Sequence, residues 1–489
     1  MSATRRCAGE VWVLEGDLKL IVLGLLVIGS TIGPASITAN AAEDVPTFNA
    51  DVASILYENC SSCHRKGEVA PMPLTSYREA RPWARAIKAK VVAREMPPWF
   101  ADPRYGEFKD VLALSQAQIE TLIAWADGGA PEGAGSAPEA PVFASEWRHD
   151  RPPDYVVEMP FDLELPAQGE VAYPEIWVDN PWDEDVFLEA VQVRPGNPQV
   201  LHHGGILNRS LPPGTKMGEA PLYAGGQLLP QPVPIDPNEA PLTKRKRAED
   251  IANGLVDRDS QLIFYRPGGG YSRYPEGTGK RIYADRYLMF QMHYQLTGRP
   301  ETDRSSAGFW LSQERPHHQV YTSGVIQAGT GRVRIVENTE QFGIGDFGQI
   351  ATTPSIPPHA GDFSVTGIWP ITDDVTIYGV WPHMHLRGKD MAYIVSYPDG
   401  TEETILSVPN YDFNWQMGYD FVEPLKIPAG STLKTVGHFD NSVKNRYNPG
   451  PDQEVQWGEQ SWDEMFVLFT KYSVDKDDLR LEGKPPAND

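Results

Sequence analysis

The sequence predicts a multidomain fold, a small all-α domain followed by two antiparallel β-sandwich domains. Three observations carry this expectation. The chain has 489 residues, more than one hydrophobic core organises, and its length suits about three domains. Helical spacing is confined to the first third, where Ile119, Leu122, Ile123 and Ala126 share one face. Beyond residue 155, short apolar runs alternate with Gly, Pro, Asn and Asp, and the chain holds 44 Gly and 44 Pro, which suits strands and turns better than long helices.

Residues 1–41 read as an export signal. Arg5 and Arg6 precede an apolar stretch from Leu18 to Gly33, and Ala39-Asn40-Ala41 is an A-x-A cleavage pattern. The expected location is periplasmic or secreted, with an uncleaved membrane anchor as the alternative. Residues 42–132 form the helical domain. Its clearest helix spans Leu114 to Ala126, with Ser115 as N-cap and Gln118 completing a capping box. Pro, Gly, Ala and Ser crowd residues 131–145, marking a linker assigned to 133–154. The β-rich remainder divides into 155–322 and 323–489, with runs such as Val186–Val191 and Val375–Val380 as strands. A formal charge of -23 argues against nucleic acid as a partner, and the basic run Lys244–Arg247 reads as a solvated loop.

Cys60-Ser61-Ser62-Cys63-His64 is a C-x-x-C-H motif. Two thiols can form thioethers to haem vinyl groups, and the adjacent His supplies an axial ligand, so residues 42–132 are expected to be a cytochrome c domain with one covalently bound haem c. Met96, ahead of the last helix, is the expected second axial ligand, and Met72 is its competitor. With Cys7 in the signal, no cysteine remains for a disulfide.

Five of the eleven histidines form a second pattern: His202-His203, His293, and His383-Met384-His385. Strand geometry puts residues i and i+2 on one face, so His383 and His385 can reach one metal. Neighbours His202 and His203 need a bend to do the same, which Gly204 and Gly205 make easy. Met465 would add a thioether, and soft sulfur selects copper over zinc or magnesium. His317-His318, His149 and His359 read as connector or loop residues, and His438 as a core or surface residue that could stand behind the metal ligands.

These residues resemble the ascorbate-dependent copper type II monooxygenases, the family of peptidylglycine hydroxylating monooxygenase and dopamine β-monooxygenase. The resemblance covers roughly residues 155–475, and a cytochrome c preceding this module is similar to bacterial relatives. It implies two jelly-roll sandwiches and two copper ions. One would be held by His202, His203 and His293 for electron transfer. The other, for O2, would be held by His383, His385 and Met465. Gln291 matches a family position near the first copper and joins His383, His385 and Met465 among the expected catalytic residues. The implied reaction is R–H + O2 + 2 e⁻ + 2 H⁺ → R–OH + H2O, with electrons entering from an external donor through the haem. The family's peptide-carboxylate partners are missing. Trp381, Val467 and Phe469 stand in that neighbourhood, so a small apolar or aromatic substrate is expected rather than a peptide carboxylate. Two rival readings remain: a copper- and haem-binding electron-transfer or sensing protein without oxygenase turnover, which needs the same ligands but no substrate cleft, and a zinc hydrolase, which explains His383 and His385 but not Met465.

Overall fold

The computed structural model describes residues 45–143, 147–169, 171, 173–209, 222–224, 227–228, 260–323, 334–335, 355–457 and 460–481. The expected export signal and the basic run Lys244–Arg247 lie outside the described residues. No described helix is long and apolar enough to cross a membrane.

The helical part is brief. A turn of π-helix, Phe48–Val52, leads into Ala53–Asn59, followed by Tyr77–Ala80, Ala84–Val92 and Gln116–Asp127. The last helix starts as its sequence requires. Ser115 accepts from the Gln118 N–H, and the Gln118 side chain reaches back to the Ser115 N–H, closing the capping box. Ile119, Leu122 and Trp125 face a small core with Phe48, Val52 and Leu56.

From residue 155 onward the described chain is strand and loop. Two six-stranded sheets, in orders running through Val186–Arg194 and through Tyr287–Tyr294, share one core of Leu188, Val191, Ile206, Ile263, Phe290 and Phe309. A four-stranded and a five-stranded sheet share a second core, with Ile377, Val380, Tyr393, Leu406, Phe439 and Phe466. The expected strands at Val186 and Val375 are present as Val186–Arg194 and Val375–His383.

This corrects the expected fold class of an all-α domain followed by two jelly-roll sandwiches. The described protein is mostly β, with short helices only. Its strands fall into four principal sheets of four to six strands, not the paired four-stranded sheets of jelly rolls. The helical periodicity of the first third was real only in pieces, because Pro71, Pro73, Pro82, Pro97, Pro98 and Pro103 interrupt it. Between Val92 and Gln116 the chain has no helix. It lies instead against the second β core, where Ala101 and Phe108 are buried, Phe108 bridges to Phe421, and the Asp102 N–H donates to the Ser407 carbonyl at 2.8 Å. Residues 45–489 accordingly form one compact unit.

Candidate functional site

The first three histidines sit on two paired strands, Leu201–Arg209 and Tyr287–Tyr294. His203 lies directly opposite His293, and then the register slips so that Tyr294 pairs with Leu201. His202 is therefore the extra residue of a β-bulge, which turns two sequence neighbours the same way. Their rings are 3.9 Å apart, and both Nε2–H groups donate to the Asn414 carbonyl oxygen at 3.1 Å. The bulge supplies the bend expected of the glycines. Gly204 serves close packing instead, since a Cβ there would meet Met292 Sδ at 2.8 Å. Tyr173 stacks on His293 with ring centroids 3.5 Å apart, and its hydroxyl shares a hydrogen bond with Ser461. Gln291 is on the His293 face of its strand, half-buried and opposite Gly205.

His383 ends the Val375–His383 strand and His385 lies past it, so strand pleating alone does not place the pair. Met384 points into the core between them, and its peptide is gripped at both ends by the Tyr411 hydroxyl, which accepts from Met384 N–H and donates to Met384 C=O. The two imidazoles stand 5.2 Å apart and nearly perpendicular. His385 Nδ1–H donates to the Asp463 carbonyl at 3.3 Å, leaving Nε2 with its lone pair. Glu464 ties this loop to the Met465 loop. Its buried carboxyl accepts from His385 N–H at 2.9 Å, Arg387 N–H at 2.6 Å and Met465 N–H at 3.3 Å. Burial pushes the Glu464 carboxyl up to about 8. Met465 itself is half-buried.

The five imidazoles form one electrostatic neighbourhood. Burial holds His203, His293 and His385 well below the ordinary histidine range and brings His383 down to about 4, so all carry neutral rings at neutral pH. His293 feels both His383 and His202, and His385 feels His293. Nδ1 of His203, His293 and His383 are buried without a well-formed hydrogen bond. Buried polar atoms are seldom left so, and neutral imidazoles with free lone pairs are what a metal takes. Among the described residues, no three His, Cys, Asp or Glu side chains close on a single metal-sized cage. The rings are gathered, and the donor set of imidazoles with a thioether nearby fits copper.

One loop missed by sequence reading, residues 409–418, walls this neighbourhood. Phe413 lies 5.9 Å from His203 and 5.7 Å from His385. Asn414 supplies the carbonyl already described, and Gln416, buried with φ +39°, offsets part of the His383 shift. The apolar side is aromatic: Trp381 stacks on Phe469 at 4.5 Å, Phe264 approaches Trp381 to 4.1 Å, and Phe469 is 5.9 Å from His383. Val467 is buried in the strand paired with His383.

The C-x-x-C-H segment forms a turn in which the Cys63 and His64 N–H groups donate to the Cys60 carbonyl. Both cysteines are free thiols, and burial pushes Cys60 up to about 12, unlike a reactive redox pair. His64 Nδ1–H donates to the Met72 carbonyl at 3.1 Å, which leaves Nε2 free as an iron ligand. These residues fit a covalently attached haem. Met96 is half-buried beyond the Ala84–Val92 helix.

The remaining histidines have other partners. His149 is buried against Trp310 at 5.0 Å and bonds Glu189, and His438 pairs with Asp390 at 2.6 Å. His317 and His318 meet Asp478 and the Asp477 carbonyl, and His359 meets Asp452.

No protein-family model matches the chain, and no curated protein matches it. Among solved structures it is similar to the N-terminal tandem CBM22 domains of Paenibacillus barcinonensis Xyn10C, at 9% identity over 64% of this chain and 82% of that one, with a TM-score of 0.15. It is also similar to the VP2 subviral particle of infectious bursal disease virus, at 12% identity over 66% of this chain and 72% of that one, with a TM-score of 0.14. Likenesses this small assign neither fold nor function.

Proposed function

We propose that the protein is an exported copper-dependent monooxygenase that hydroxylates a small apolar or aromatic C–H substrate with O2, fed with electrons through a covalently bound haem c. The observation that carries this reading is the gathering of five neutral imidazoles from two β regions, with His203, His383 and His385 buried and His202 and His293 half-buried, and with the Nδ1 of His203, His293 and His383 unsatisfied. His202, His203 and His293 would hold one copper, and His383, His385 and Met465 the other. When bound, copper supplies one-electron storage and O2 chemistry, and the haem supplies one-electron delivery. The chain's own residues do the rest. Glu464 fixes the backbone of His385 and Met465, and the Phe413 ring lies 5.9 Å from His203 and 5.7 Å from His385, where it would limit water between the two sets. Trp381 and Phe469 offer an aromatic face without a cation for a carboxylate. The Met72 carbonyl occupies the Nδ1 side of His64, away from Nε2, which supports Met96 as the second iron ligand.

The test is turnover of the haem- and copper-loaded full chain with a panel of small aromatic and aliphatic compounds under 18-O2. The expected result is a hydroxylated product carrying one labelled oxygen, lost in His383→Ala. Loaded protein whose haem cycles but yields no product would instead support the copper- and haem-binding electron-transfer or sensing reading.

A further inference from the structure

The haem motif and the histidine neighbourhood meet on a single short stretch of chain. Arg266-Pro267-Gly268-Gly269 is a β-turn closed by Gly269 N–H to the Arg266 carbonyl at 2.8 Å, with Pro at its second position and Gly268 at φ +75°. Gly268 faces Cys63 so closely that a Cβ there would lie 2.6 Å from the Cys63 Sγ. Glycine is thus required twice, for the positive φ and for the approach. Arg148 anchors the turn, donating to the Gly268 carbonyl at 3.2 Å. The turn ends the Gln261–Tyr265 strand, which pairs with the strand bearing His202 and His203.

Two residues before the turn, Phe264 stands between the two histidine sets. Its ring is 5.6 Å from the His203 ring and 4.1 Å from Trp381, which is 6.2 Å from His383. From Gly268 to Phe264 is four residues, at most about 14 Å of chain. Electron tunnelling weakens steeply with distance and is carried better by covalent bonds and ring contacts than by gaps. We infer that the Gly268 turn and the Phe264–Tyr265 segment form the electron path from a haem attached at Cys63 to the histidine sets, with Phe264 as the coupling side chain. This rests on the proposed function. One electron leaves the ferrous haem and reduces a cupric ion to cuprous, and no bond forms or breaks. Phe264 is a positioning residue for that transfer, since its phenyl ring has no metal-ligating atom and acts through the His203 and Trp381 rings on either side of it.

The test is flash photoreduction of the haem in the full-length chain, loaded with haem and copper(II) and kept under argon, with the ferrous haem band followed as it decays. Wild type should show a first-order, copper-dependent reoxidation. Phe264→Leu should slow it roughly tenfold at unchanged haem and copper content, and Phe264→Tyr should restore it. A Phe264→Leu rate equal to wild type overturns the path. So does slowing in Trp99→Leu but not in Phe264→Leu, because electrons would then leave on the Met96 side, where Trp99 meets Tyr419 at 5.2 Å. A wild-type decay indifferent to copper overturns the proposed function itself, and this path with it.

Discussion

His203 and His293 face one another across a continuous antiparallel ladder, whereas His383 and His385 straddle the end of a strand and are held from outside by side chains. In the first set, backbone register does the positioning, and a bulge adds His202. In the second, the positioning rests on Glu464, Tyr411 and the Asp463 carbonyl. A ladder shares its load over many bonds, while a clamp concentrates it on one carboxyl. The two sets should therefore respond differently to change.

Acid should act on both sets. The folded-state value of His383, about 4, lies below the ordinary 6.5, so the neutral ring is favoured on folding. That contribution is complete above pH 6.5 and lost as pH falls towards 4, amounting to about 3 kcal/mol from His383 alone. Denaturant midpoints of the metal-free protein between pH 7 and 4 should show the decline, with the other buried imidazoles adding to it. A flat profile would mean that these rings are charged or solvated in the fold.

Removing the clamp should separate the sets. Glu464→Ala strips the acceptor from three N–H groups and should cost about 3 kcal/mol by denaturant unfolding. It should also lose copper from the second set while the first stays filled. Equal loss from both would show that the sets are not independently built.

The ladder should give way less. Gly204→Ala drives a Cβ onto the Met292 sulfur and should cost about 2 kcal/mol by thermal unfolding, with His203 and His293 still paired. Smallest of all, His438→Ala breaks a half-exposed pair with Asp390 and should change stability by less than about 0.5 kcal/mol, leaving copper content intact. A loss of copper there would extend the second set to that strand.

The same contrast governs what could be read in advance. The Ser115 capping box and the strands at Val186 and Val375 are local patterns, and the chain forms them. The histidines stand out only in combination, as H-H, a later His, H-x-H and a later Met in one order, since the H-H pair His317-His318 alone marks no site. The bulge at His202 is a property of register between strands far apart in sequence, so neither strand announces it. Glu464 looks like any charged surface residue until its neighbours bury it, and the 409–418 loop has no periodicity to betray Asn414 or Gln416. The fold class failed for the related reason that helical spacing in short pieces does not make an all-α domain. Phe108 and its neighbours spend their apolar surface on a β core more than 300 residues on.

The most direct measurement is metal and haem content of the purified, copper-loaded protein beside its His203→Ala and His383→Ala variants. Two coppers and one covalent haem per chain, with each variant losing a single copper, is the predicted result. Zinc in place of copper, or copper indifferent to both substitutions, would contradict it.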